Sequence, residues 1–135
     1  MTTTENLWPD FALDTEIRGP KTILTEQASF LANGTRNLLT ADVIVAPYGN
    51  DGGLSYRFEI IASNLNGYKY TLFRIFQGDI FYYPCNFSMG SKSFTVNSEG
   101  ELLQTLKGVF SDAETTKIIT SLIAQSKENA TSNFV

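Results

Sequence analysis

From Asn37 to Val96 the chain is cut into short segments of period-two hydrophobicity by turns that contain glycine, and this punctuation limits the fold more than any other feature. NLLTADVIVA, residues 37–46, puts Leu39, Ala41, Val43 and Val45 on one face and Leu38, Thr40, Asp42 and Ile44 on the other. The glycine-rich segment Tyr48–Gly53 reads as a turn, because Gly, Asn and Asp tolerate the positive φ of hairpin loops. Leu54–Asn64 is the second strand, Asn66-Gly67 a two-residue hairpin turn, Tyr68–Gln77 the third strand, Gly78-Asp79 another tight turn and Ile80–Phe87 the fourth strand. A fifth, short strand runs from Lys92 to Val96. Strands joined by tight turns pair antiparallel, so this stretch predicts a meander.

The flanks read as helix. Pro20 suits a first helical position, Ile23, Leu24, Ala28 and Leu31 follow at helical spacing, and Asn33-Gly34 supplies a stop, which predicts a helix over 20–33. Towards the carboxy terminus, two capping boxes, Ser98–Glu101 and Ser111–Glu114, precede apolar residues at helical spacing. Residues 1–19 show neither period and read as an extended arm, pinned by Leu7, Trp8 and Phe11. Residues 128–135 read as a flexible tail. The expected fold is α+β, a two-layer domain over residues 20–127 with one helix, a four- or five-stranded antiparallel meander and two C-terminal helices.

Turn positions predict which side chains are neighbours. Around Asn50-Asp51 they set Asp42 beside Glu59, Val43 beside Phe58 and Val45 beside Tyr56. Around Asn66-Gly67 they set Ala62 beside Thr71, Ile60 beside Phe73, Phe58 beside Ile75 and Glu59 beside Arg74. One face is then core: Leu39, Ala41, Val43, Val45, Tyr56, Phe58, Ile60, Phe73 and Ile75, with Tyr82 and Pro84 joining from the fourth strand. The other carries Ile44, Ile61, Leu72, Phe76, Phe81 and Tyr83 among Asp42, Arg57, Glu59 and Arg74. That face is more apolar than a solvated antiparallel face ordinarily is, so either the protein's own arm or helices, or another chain, should cover part of it.

Composition narrows the chemistry. The 135 residues contain no histidine and one cysteine, which removes imidazole-based hydrolysis, His-ligated zinc, an internal disulfide and a four-cysteine metal site. Ten Lys and Arg against 14 Asp and Glu give a net charge of -4, and the cations are scattered singly, which argues against nucleic-acid binding. The amino terminus lacks the charged and apolar regions of a secretory signal, and no stretch approaches the roughly 20 apolar residues that span a bilayer, so a cytoplasmic protein without membrane contact is expected.

No constellation stands out as catalytic. Trp8-Pro9-Asp10 resembles the acid loop of tyrosine phosphatases, but Ser91 stands where their signature arginine should follow Cys85. Cys85 has no cation nearer in sequence than Lys92 to activate it. Asp42 and Glu59 form a carboxylate pair, with Arg57 and Arg74 close by in the expected register, an arrangement that reads as an ion-pair lattice. The expected function is therefore non-enzymatic, without metal or cofactor: protein-protein binding of the adaptor, specialised-chaperone or immunity type. The partner is another protein or a second copy, and the expected contact residues are Trp8, Arg57, Arg74, Phe76, Phe81 and Tyr83. The alternative is a pocket domain that takes a small molecule, or a weak enzyme built from carboxylates, Tyr and Arg.

Overall fold

Pro20 opens the first helix, α1 (Pro20–Gly34), where its missing N–H leaves no hydrogen bond unmade, and Ile23, Leu24 and Ala28 form its buried stripe. The computed structural model describes residues 4–11 and 17–132, with side chains to residue 130. The helix includes Gly34 and stops just beyond it. Thr35 Oγ1 accepts from Leu39 N at 3.1 Å and lies 2.9 Å from Leu31 O, while Arg36 (φ 52°) and Asn37 (φ 65°) take the left-handed conformation. These two residues cannot belong to an extended strand, so the first strand starts at Thr40 and not at Asn37.

Five antiparallel strands follow, β1 (Thr40–Tyr48), β2 (Gly52–Ala62), β3 (Tyr68–Asp79), β4 (Cys85–Met89) and β5 (Lys92–Val96), and they lie side by side in chain order. Two helices complete the fold, α2 (Glu99–Phe110) and α3 (Ala113–Ser132). The chain is an α+β protein of two layers. Buried residues of all three helices share one core with Tyr56, Phe58, Phe73 and Ile75, so the helices lie on one face of the sheet.

β1 and β2 pair in the expected register, Asp42 with Glu59, Val43 with Phe58 and Val45 with Tyr56. β2 and β3 do not. Asn66 (φ 59°) and Gly67 (φ 71°) are left-handed, but they end a five-residue connection whose first part, Ser63–Leu65, is a short 3-10 turn, and Ala62 faces Tyr68. The longer loop moves the register by three residues, which alone would exchange the faces of β3. A bulge restores them: Glu59 faces Thr71, Phe58 faces Phe73, and Leu72 is the extra residue. Leu72 is therefore 5% exposed in the core, not on the outer face, and Glu59 does not face Arg74.

The fourth strand is also shorter than expected. β3 continues through Gly78-Asp79, residues 80–84 form a loop with a cis Tyr83-Pro84 peptide, and β4 begins at Cys85. Proline has no N–H to give to a ladder, and a strand between β3 and β5 has partners on both sides, so Pro84 cannot sit within it. Tyr82, 41% exposed, and Pro84 are consequently outside the core, against expectation.

A row of rings crosses four strands, from the core at Phe58, Phe73 and Phe87 out to the exposed Phe94. Phe58 stacks on Phe73 (centroids 5.2 Å apart), Phe73 on Phe87 (4.8 Å) and Phe87 on Phe94 (5.3 Å), and Phe110 of α2 tilts over Phe58 at 5.9 Å. Cross-strand aromatic pairs of this kind stabilise a sheet beyond the area they bury. Ser98 caps α2 as expected, accepting from Glu101 N at 3.2 Å, while Glu101 reaches back to Asn97 N. The second box works differently: Asp112 caps α3 through Glu114 N, and Ser111 Oγ donates to Lys107 O at the end of α2. α3 is helical through residues 128–132, which the sequence assigns to a tail, and Asn129 Nδ2 donates to Asn64 O at 2.8 Å; residues 133–135 lie outside the described residues.

Candidate functional site

The outer face of the sheet, with none of the three helices on it, presents Asp42 and Ile44 from β1, Arg57, Glu59 and Ile61 from β2, and Arg74 and Phe76 from β3. Arg57 and Arg74 are direct cross-strand neighbours, and like charges in that position repel. Glu59 offsets one of them. Its Oε2 lies 3.2 Å from Arg57 Nε, close enough for an ion pair but not aligned as a hydrogen bond, and its side chain is mostly buried. Arg74 is exposed, faces Ser88 and has no carboxylate within ion-pair distance among the described residues. The expected lattice is thus a single Arg57–Glu59 pair beside an unneutralised Arg74.

Two residues further along β3, Phe76 meets the ring of Tyr48 with centroids 5.0 Å apart. Tyr48 ends β1 and faces Gly53, which has no side chain to block the approach. A Cβ at Gly53 would fall 2.5 Å from Tyr48 O and 2.3 Å from Gln77 O, so only glycine fits there. Beyond the same end of the sheet, Ile80 and Phe81 are 70% and 65% exposed. They are held in place: Phe81 N donates to Asp79 Oδ1 at 2.9 Å, Gln77 Nε2 donates to Asp79 O at 2.8 Å, and Gly52 passes under Ile80, where a Cβ would be 2.6 Å from Cγ2.

Tyr83 and Trp8 do not join this patch. Tyr83 packs against the core, and its hydroxyl donates to Arg18 O at 3.0 Å. Arg18 in turn pairs with Glu26 at 2.6 Å, and its N–H reaches Glu99 Oε1 at 3.0 Å. Gly19 lies under Tyr82 so closely that a Cβ would come within 2.8 Å of the ring. The chain is therefore anchored at residues 18–19. Residues 4–11 of the arm are not docked: Trp8 is 76% and Phe11 64% exposed, their rings tilted against each other with centroids 6.2 Å apart. Residues 1–3 and 12–16 of the expected arm lie outside the described residues.

The buried titratable groups lie beneath this end of the sheet. Burial pushes the Cys85 thiol up to about 11, and burial with Tyr82 and Cys85 nearby pushes Tyr56 up to about 12; burial likewise raises Tyr83 well above the ordinary phenol value. A thiol held protonated at neutral pH is a poor nucleophile. Tyr56 donates to Gln77 Oε1 at 2.8 Å, a buried polar link that strand periodicity cannot reveal because Gln77 occupies a core position. No three His, Cys, Asp or Glu among the described residues are grouped to hold a metal ion. No helix among them is long and apolar enough to cross a membrane. On the helical side of the sheet, a separate hollow of about 340 Å³ lies between α1 and α3.

Comparison with protein-family models, curated proteins and solved structures finds no match for this chain.

Proposed function

We propose that this chain is a non-catalytic, cytoplasmic protein-binding module that engages another protein through the patch of Arg74, Phe76, Tyr48 and Phe81. The observation that carries this reading is an Arg74 with no carboxylate within ion-pair distance among the described residues and a paired Phe76 and Tyr48, on a sheet face without a helix, next to a hydrogen-bonded loop beyond the same end of the sheet that holds two large apolar side chains in solvent. Arg, Tyr and Phe are the residue types enriched in interface cores. A loop already fixed in position loses little entropy when it is covered. Arg57 has its own counter-ion, so the charge left for the partner is Arg74, and the partner should bring a carboxylate next to an apolar surface. Trp8 and Tyr83 have no part in the contact in this reading.

The test is recovery of partners from an extract of the source cells by the full-length protein and by the variants Arg74→Glu, Phe76→Ala and Phe81→Ala, with Gln104→Ala on the exposed side of α2 as control. One protein should be recovered by wild type and the control and reduced about tenfold or more by the three patch variants, a loss of at least about 1.4 kcal/mol. Equal recovery throughout would sink the proposal. A mass of two chains by light scattering that Arg74→Glu returns to one would assign the patch to a second copy instead.

A further inference from the structure

The sheet has two open edges, and they differ in how they are guarded. β1 and β5 are the outermost strands, so each pairs on one side only. β5 is five residues long with Lys92 at its start, and a short edge that carries a lysine resists pairing with other chains. β1 has nine residues; Thr40–Ala46 contain no proline and one charge, Asp42, and Val43, Ile44 and Val45 are all β-branched. Its register with β2 runs without a bulge. Among the described residues, no element except β2 hydrogen-bonds to the β1 backbone. Alternate residues of an antiparallel edge strand turn their N–H and C=O groups away from their only partner, which leaves a row of donors and acceptors on the outer side. The strand is also less covered than its neighbour. Ala41, Val43 and Val45 pack on the core face yet are only part-buried, whereas Ile60, Phe58 and Tyr56 opposite them are at most 2% exposed. α1 does not close this edge with bulk: Gln27 and Phe30 turn towards α3, so at helical spacing the flank nearer the edge carries Thr25 and Ala32, whose side chains are short.

We infer that β1 pairs with β1 of a second copy of this chain, antiparallel, about a two-fold axis at Ile44, the middle residue of the strand. The two five-stranded sheets then run on as one, with the helices of both copies on the same side. Backbone groups supply the attraction, and the order of side chains makes the strand complementary to itself. Ile44 faces Ile44, Val43 faces Val45, and Asp42 faces Ala46 of the second copy, so the one charge on the strand does not meet its own kind. A second copy brings this unguarded edge at equal concentration, whereas another protein would need an unguarded strand of its own, which natural sheets avoid. The contact lies at the edge of the sheet, leaves Arg74 and Phe76 uncovered in both copies and does not depend on the protein-binding proposal.

The experiment measures the mass of the full-length protein by light scattering over a concentration series. Wild type should reach two chains. Ile44→Glu sets two carboxylates face to face at the axis, although within one chain the new carboxylate lies beside Arg57; it should weaken association about tenfold or more and keep a native circular dichroism spectrum. Ile44→Lys should weaken it likewise. An equal mixture of the two variants should regain two chains, because a carboxylate then faces an ammonium, and only a contact of position 44 with itself has this property. Arg74→Glu should leave the mass at two chains. Where the position-44 variants do not fold, amide exchange of the wild type decides: protection in β1 should rise with protein concentration and that in β5 should not. A mass of one chain at every concentration would overturn the inference, as would two chains kept in Ile44→Glu, a mixture that stays at one chain, or β1 protection independent of concentration.

Discussion

Phe73 and Phe76 are three residues apart on β3 and have the same side chain, yet they belong to different layers of the molecule. Phe73 is 1% exposed, stacked between Phe58 and Phe87 and covered by Phe110. Phe76 touches one ring, that of Tyr48, on a face without a helix. The same payload of apolar surface goes to holding the fold on one side and remains available for contact on the other. Strand periodicity assigns the side, and what the rest of the chain places over that side determines the energetics.

The sharpest test of this contrast is Phe73→Ala, which should destabilise the protein by about 3–5 kcal/mol in denaturant unfolding, since it opens a cavity in the middle of the ring row. A loss no larger than that of Phe76→Ala would break the comparison. Gly53→Ala comes next, at about 1–3 kcal/mol, because its Cβ would meet backbone atoms of Gln77, Tyr48 and Gly78, which cannot swing aside as a side chain can; the variant should also separate the Tyr48 and Phe76 rings, visible as altered ring chemical shifts. Tyr83→Phe removes one hydrogen bond to Arg18 O and should lower stability by about 1 kcal/mol while leaving partner recovery unchanged.

A pH series probes the buried side alone. Cys85 and Tyr56 ionise later in the folded chain than in the unfolded one, so the unfolded state loses protons first as pH rises. Stability should be level with respect to these groups below about pH 9, the ordinary thiol value, and fall as pH passes through 9 to 12. Cys85→Ala should flatten the lower part of that fall; an unchanged profile would show that the thiol is not the group responsible. The smallest stability effect belongs to Phe76→Ala, within about 0.5 kcal/mol, as at other surface positions. In that variant the loss should be seen in partner recovery and not in the melt.

The β1–β2 hairpin was legible residue by residue because its turn is symmetric about Asn50-Asp51, with Gly49 (φ 72°) and Gly52 (φ 81°) on either side. The next connection carried an equally clear sign, and Asn66-Gly67 does take the backbone conformation that it implies. Its place in the loop, however, is set by contacts far along the chain: Asn64 Nδ2 donates to Ser126 O, and Asn129 Nδ2 to Asn64 O, so α3 holds the loop open to five residues. No local pattern contains that information. Of the residues expected on the outer face, Arg57, Arg74 and Phe76 lie there because the three-residue slip and the bulge together amount to an even shift. Phe81 and Tyr83 are loop residues and not strand residues, because Pro84 cannot sit in a strand that has neighbours on both sides: Phe81 is exposed beyond the end of β3 and Tyr83 packs against the core. The hollow between α1 and α3 arises from how two helices settle on the sheet, which helical periodicity does not specify.

Leu72 joins two half-strands that run out of phase. Before it, Tyr68 and Tyr70 point inward from even positions; after it, Phe73, Ile75 and Gln77 do so from odd ones. Deleting this one residue would rotate one half of β3 against the other, either sending both tyrosines out beside Glu59 and Ile61 or turning Phe73 and Ile75 into water. The strand therefore tolerates substitution on each side of Leu72 far better than any change in its length, and a graft or permutation that preserves this fold has to carry β3 whole.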